Sequence, residues 1–253
     1  MTDVRTHTRI NQTILGPLEK PALQWLAARM PNWVSPDTLT GIGIFASVLI
    51  FASFVLTNIH PGFLWLASLG VFLNWFGDSL DGTLARYRKI ERPQYGFFVD
   101  HSVDAVSEVL VFLGVGLSPY VNFEVACLAL IGYLLLSTYV YLFTYVKGVF
   151  QISFARIGPT EIRLLAILAN ALVFFLGNPI VPTKFGVVSL YDLIAGFLAI
   201  VLLLAFLVMS VVTALDLSKS DRLEAQAKRR SRKQQRRRRT KERPAPASSV
   251  ADD

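Results

Sequence analysis

Asp78 and Asp81 stand three residues apart, and Asp100 and Asp104 four apart, spacings that put each pair on one face of a helix. Both pairs fall within WFGDSLDGTLARYRKIERPQYGFFVDHSVDA, Trp75 to Ala105, in a chain otherwise rich in Leu, Val, Ile and Phe. Two such faces on neighbouring antiparallel helices would bring four carboxylates together. At an effective dielectric near 20, each like-charged pair about 5 Å apart costs about 3 kcal/mol, so the cluster requires positive charge among its members. Arg86, bound protons and metal ions are the candidates, and hard divalent cations take oxygen ligands of this kind. Gly82 removes a side chain beside Asp81, Ala85 keeps the same wall low one turn on, and Gly96 clears space a turn before the second pair. Arg86 offers a two-pronged donor for phosphate oxygens. Glu108, one turn beyond Asp104 on the same face, is an acid inside an apolar segment and so a functional candidate. In outline these residues make a pocket for a phosphate-bearing, metal-chelating substrate, with the two-metal arrangement used in phosphoryl transfer.

The elements that must position them are helices in a membrane. Apolar residues make up 53% of the chain, well above an ordinary soluble protein, and runs of about 20 apolar residues predict spans at 39–59, 63–85, 98–118, 123–146, 160–178 and 190–215. The second and third spans are weak in hydropathy because they hold the aspartates. Their neighbours decide the matter: NIHPG and SPYVNFE, after the first and third spans, carry no Lys or Arg, whereas Arg86, Arg88, Lys89 and Arg92 follow the second, and Lys147 and Arg156 the fourth. Lys184 is the only basic residue between the fifth and sixth spans. That alternation is the positive-inside pattern for six helices with both termini in the cytoplasm. The expected fold is therefore all-α and integral to the membrane. Residues 1–38 form an N-terminal segment whose Leu18, Leu23, Trp25, Leu26 and Met30 predict an interfacial amphipathic helix, residues 39–218 a six-helix domain, and residues 219–253 a basic, largely disordered cytoplasmic tail.

The net charge of +7 is unevenly held: residues 219–253 carry 13 Lys/Arg against 5 Asp/Glu, which leaves 12 against 13 in the rest. Such a tail is drawn to anionic lipid headgroups, while a nucleic-acid partner is not favoured. The lone Cys127 allows no intrachain disulfide and no cysteine-based metal site.

The pattern D-x-x-D-G-x-x-A-R, then G-x-x-x-D-x-x-x-D after nine residues, stands here as Asp78, Asp81, Gly82, Ala85 and Arg86, then Gly96, Asp100 and Asp104. In all eight fixed positions it resembles the signature of the CDP-alcohol phosphotransferase family. The resemblance implies a membrane enzyme that breaks the diphosphate of a CDP-linked alcohol, releases CMP and joins the phosphoryl group to a second alcohol. It implies two bound Mg²⁺ or Mn²⁺ ions on Asp78, Asp81 and Asp100, with Asp104 completing the metal site or acting as general base. Gly82 and Arg86 would sit on the nucleotide diphosphate. It further implies CDP-alcohol and lipid substrates and the homodimer common in the family, while the basic loops place the site at the cytoplasmic face, expected to be that of a bacterial cytoplasmic membrane.

Two flanking segments extend the likeness. SPDTLTGIGI matches the family's P-N-x-L-T at Pro36, Leu39 and Thr40, with Asp37 in place of Asn; Thr40 is thereby a candidate substrate contact, and Pro36 and Thr40 also read as a helix start. RIGPTEIRLLAIL resembles a segment of the choline- and ethanolaminephosphotransferase branch through Gly158, Pro159, Thr160 and Glu161, with Arg163 where that branch carries Gln. Glu161 is a candidate for a cationic headgroup and Arg163 for a phosphate or lipid anion; the same run also reads as a helix N-terminus. The first choice of substrates is CDP-choline or CDP-ethanolamine with diacylglycerol. The alternative is CDP-diacylglycerol with glycerol phosphate, inositol or serine. A cation- or proton-coupled transporter would also bury carboxylates, but has no need of Gly82, Ala85 and Arg86 at these offsets.

Overall fold

A computed structural model describes residues 8–10, 13–151, 158–183 and 186–241 of the chain. Arg156, Lys184 and residues 242–253, on which parts of the topology and tail readings rest, lie outside the described residues. Seven helices run as α1 (Gly16–Arg29), α2 (Pro36–Leu56), α3 (Phe63–Arg88), α4 (Pro93–Gly116), α5 (Phe123–Lys147), α6 (Pro159–Leu176) and α7 (Leu190–Lys241). Two small strand pairs, unanticipated in the sequence, accompany them: β1 (Thr8–Ile10) lies parallel to β2 (Val149–Gln151), and β3 (Ile180–Thr183) antiparallel to β4 (Gly186–Ser189). The chain divides into two compact units, residues 1–206 and 207–253; the second holds the rest of α7 and the C-terminal residues.

Five helices, α2, α3, α5, α6 and α7, are long and apolar enough to cross a membrane. The remaining expected span, the third along the chain, is α4, which is 24 residues long but carries Asp100, His101, Asp104 and Glu108 along its length. The tail over residues 219–253, expected to be largely disordered, is helical as far as Lys241. Its composition explains this: Arg, Lys, Gln, Glu and Ala are good helix formers, and from Phe197 to Arg243 there is neither Gly nor Pro.

Local chemistry sets the helix ends that frame the site. Pro36 opens α2 at a position where its missing N–H is not needed, and Ser35 caps it, its Oγ accepting from the Thr38 N–H at 3.1 Å while the Ser35 N–H reaches back to Thr38 Oγ1 at 3.4 Å. Lys89, in the left-handed region at φ 57°, ends α3. Gly158 and Pro159 open α6, and Glu161 folds back on the Gly158 N–H at 2.9 Å.

In the first unit α2 is the spine, packing against both α3 and α4. Its approach to α3 is made through small residues: a Cβ on Gly77 would fall 2.6 Å from the Leu39 carbonyl oxygen and 2.7 Å from the Gly43 nitrogen. Below this crossing Leu39, Leu80 and Leu84 are fully buried with Leu23 and Ala27 of α1. A second apolar cluster, from Ile50 and Phe54 to Leu64, Ala67, Val71 and Val173, ties α2 and α3 to α6. α1 is docked on α3 by Leu23 and Ala27, while Leu18 and Trp25 are exposed. Glu19 fastens it, accepting from Trp75 Nε1 at 2.9 Å and Thr160 Oγ1 at 2.6 Å.

Gly77→Leu is expected to force α2 and α3 apart and destabilise the protein by about 1–3 kcal/mol. Gly43→Ala, whose Cβ would meet only the Asp78 nitrogen at 3.8 Å, is expected to be close to neutral. Thermal unfolding of the two variants in detergent checks the difference.

Candidate functional site

The aspartates converge beside α2. Asp78 and Asp81 come from α3, Asp100 and Asp104 from α4, and an oxygen from each of Asp78, Asp100 and Asp104 lies within 4.8 Å of the others. Asp81 stands slightly apart with both oxygens engaged: Oδ2 accepts from Thr40 Oγ1 at 2.6 Å, and Oδ1 from the Gly82 N–H at 2.5 Å. Thr40, expected as a substrate contact, lines the site and holds Asp81 there. It does so because the Gly43–Gly77 crossing brings the first turns of α2 against this part of α3.

Two cavities meet at these residues. The smaller, about 10 Å³, is lined by all four aspartates together with Thr40 and Asn74, and has room for one water-sized particle. The larger, about 530 Å³, is lined by Asp81, Gly82, Ala85, Arg86, Gly96 and Asp100 among others, a size suited to a small-molecule ligand. Thr40, Asp81 and Asp100 line both and so form the partition between them. Gly82 lies under Arg86, whose Nη1 would be 3.3 Å from a Cβ there, whereas a Cβ on Gly96 would meet nothing within 4 Å. Across the larger cavity Arg92, at the start of α4, pairs with Asp37 of α2 and stacks on Tyr95 at 4.1 Å. The Asp that stands where the family pattern has Asn is thus half of an ion pair.

Beneath the carboxylates a polar network joins three helices. Asn74 Nδ2 donates to the Gly43 carbonyl at 3.3 Å and to Ser47 Oγ at 3.1 Å, and Ser47 Oγ lies 2.8 Å from Ser107 Oγ. Ser47 and Ser107 were missed in the sequence because serines inside apolar runs carry no signal until their neighbours are known. Arg88, read as one of the basic loop residues, turns out to hold the α1–α2 connection through the carbonyls of Met30, Pro31 and Val34 at 2.5 to 3.0 Å.

The remaining candidates fall in two groups. Arg163 enters the site from α6, its Nη2 donating to Asp78 Oδ2 at 2.6 Å. Glu108 lies one turn below Asp104; Tyr133 hydrogen-bonds its carboxyl, and its buried Oε2 has no hydrogen-bond partner among the described residues. Glu161, by contrast, spends its carboxylate on backbone: Oε1 accepts from the Leu15 N–H at 2.8 Å and Oε2 from Gly158. His101 packs between Phe97 and Tyr141, with its Nδ1 2.8 Å from the Phe97 carbonyl oxygen and 3.7 Å from Asp100 Oδ2.

The donor set fits divalent metal. Three carboxylate oxygens within 4.8 Å of one another, with a fourth carboxylate on the wall of a cavity the size of one small particle, supply hard, anionic oxygen and more negative charge than Arg163 alone offsets.

Among helices long and apolar enough to span a membrane, an acid-lined cavity thus shares Thr40, Asp81 and Asp100 with a ligand-sized pocket. The model of the CDP-alcohol phosphatidyltransferase family matches residues 33–219, and the chain belongs to that family. It is 30% identical over 191 residues to cholinephosphotransferase 1 of Danio rerio, covering 69% of this chain and 49% of that protein. It is 26% identical over 213 residues to the Mus musculus protein of the same name, covering 76% and 51%. A phosphatidylinositol phosphate synthase of Cutibacterium acnes is 39% identical over 85 residues, covering 33% of this chain and 38% of that one. The chain spans about half the length of the cholinephosphotransferases it matches.

Asp100→Asn removes one of the mutually repelling charges, so with chelator present it is expected to unfold at or above the wild-type temperature. Mg²⁺ should raise the wild-type unfolding temperature and leave that of the variant nearly unchanged. An equal rise in both would show that Asp100 is not a ligand.

Proposed function

We propose that this protein transfers the phosphoryl-linked group of a CDP-alcohol to the hydroxyl of a second alcohol, releasing CMP, as a step of phospholipid synthesis. The convergence of Asp78, Asp100 and Asp104 beside the pocket of Gly82, Arg86 and Gly96 carries the reading. In it the acceptor oxygen forms a bond to the phosphorus remote from cytidine, the bond from that phosphorus to CMP breaks, and the hydroxyl proton passes to Asp104. Arg86 receives the diphosphate, with the bare backbone of Gly82 and Gly96 leaving room for it. Thr40 and the Gly82 N–H hold Asp81 at the edge between cage and pocket. Asp78, Asp81, Asp100 and Asp104 would hold Mg²⁺ or Mn²⁺, two ions in the family's arrangement, which when bound neutralise diphosphate charge and lower the barrier to its cleavage.

For the substrates we take a CDP-linked amino alcohol, CDP-choline or CDP-ethanolamine, with diacylglycerol as acceptor. The G-P-T-E run and the similarity to cholinephosphotransferases along most of this chain support that choice. The alternative, CDP-diacylglycerol with a small alcohol, draws support from the phosphatidylinositol phosphate synthase similarity and from Arg163, a cation inside the site. The enzyme would work as a six-span protein of a bacterial cytoplasmic membrane. Lys89 and Arg92 beside the pocket favour a cytoplasmic opening, and the Lys/Arg-rich helix from residue 219 favours contact with anionic lipid.

Purified full-length protein is expected to release CMP with CDP-ethanolamine or CDP-choline plus diacylglycerol, and not with CDP-diacylglycerol plus glycerol phosphate, inositol or serine. Asp104→Asn should lower CMP release by about 10²–10⁴-fold while the protein stays folded in detergent. Unchanged turnover in that variant would remove Asp104 from the proton transfer.

A further inference from the structure

Arg163 is a basic side chain brought against the aspartate row from a helix that carries none of it. Its Nη2 donates to Asp78 Oδ2 at 2.6 Å and only 18% of the side chain is exposed. Asp78 is therefore claimed twice, since it also contributes an oxygen to the cluster with Asp100 and Asp104. A divalent cation among those oxygens and a guanidinium on the same carboxylate repel one another across a poorly screened interior. Both also draw on the charge of the one Asp78 group. A largely buried guanidinium that gives up its carboxylate cannot be left unpaired, because an uncompensated buried charge is strongly unfavourable. It needs another anion within reach, and its planar fork matches phosphate oxygens.

We propose that Arg163 yields Asp78 to the incoming divalent cation and turns to a phosphate group of the substrate, so that cation and substrate binding are coupled through one guanidinium. The proposal rests on the reading of the aspartates as a cation cage. It gives a physical meaning to the departure from the Gln found here in the choline- and ethanolaminephosphotransferase branch, since Gln can hydrogen-bond but neither competes with a cation nor neutralises a phosphate. The phosphate has two sources, the diphosphate of the CDP-alcohol or a phosphate carried by the acceptor alcohol. By linkage the coupling is reciprocal: whatever phosphate Arg163 takes up tightens the cation, and the cation tightens the phosphate-bearing substrate.

The test is calorimetric titration of Mg²⁺ into full-length protein in detergent without substrate, followed by KM and kcat for both substrates, in wild type, Arg163→Gln and Arg163→Lys. Arg163→Gln is expected to bind Mg²⁺ about tenfold more tightly, the equivalent of losing one charge-assisted hydrogen bond that competes with it. It should also raise KM for one substrate about tenfold, with a smaller change in kcat. A rise on the CDP-alcohol assigns the phosphate to the donor, and a rise on the acceptor assigns it to a phosphorylated alcohol. Unchanged or weaker Mg²⁺ binding in Arg163→Gln would overturn the proposal, making Arg163 an orienting partner of Asp78; so would two unchanged KM values. Arg163→Lys keeps the charge but not the fork, so its Mg²⁺ affinity should stay near wild type while one KM rises several-fold. If the Gln variant does not fold, an unchanged KM pair in the Lys variant overturns the proposal by itself. Wild type that binds no Mg²⁺ would instead overturn the cage on which the proposal stands.

Discussion

The mutual repulsion of Asp78, Asp81, Asp100 and Asp104 is the constraint around which the first unit is arranged. Carboxylates do not gather inside an apolar bundle unless the backbone holds them there and something positive accompanies them. The holding is done by α2, which packs on both α3 and α4 and approaches α3 so closely that a Cβ on Gly77 would clash with the backbone of Leu39 and Gly43. From that crossing Thr40 reaches Asp81, and the Asn74, Ser47 and Ser107 network closes the floor. Among the described residues Arg163 pairs with Asp78, Arg86 acts on Asp81 and His101 lies 3.7 Å from Asp100.

The same geometry divides the site by chemistry. On one side is a cavity of about 10 Å³ walled by carboxylate oxygen, and on the other about 530 Å³ lined by Gly82, Arg86, Gly96 and the Arg92–Asp37 pair. The basic loop after α3 serves several ends: Arg88 secures the α1–α2 turn and Arg92 crosses the pocket. Its charge cannot be ascribed to membrane topology alone.

Much of this was legible in the sequence because the site is local. Asp78 to Arg86 and Gly96 to Asp104 are two short helical segments, and spacing alone fixes which side chains share a face. The starts of α2, α3, α5, α6 and α7 fall within a few residues of the expected spans because Pro36, Asn122, Pro159 and their neighbours mark them. What could not be read was long-range. Glu161 looked like a headgroup contact but its oxygens satisfy the N–H groups of Leu15 and Gly158, the first of them 146 positions away. Arg163 could be suspected of an anion, yet its meeting with Asp78 depends on how α6 packs on α3. The helix from residue 219 was misjudged because net charge was weighed above the helix propensity of Arg, Lys and Gln.

Whether the aspartates form a cation cage is decided by diffraction from crystals grown with Mn²⁺, using its anomalous signal. A cage gives a peak bounded by Asp78, Asp100 and Asp104 that disappears in Asp78→Asn. Crystals that bind Mn²⁺ elsewhere, or keep the peak in the variant, would contradict it.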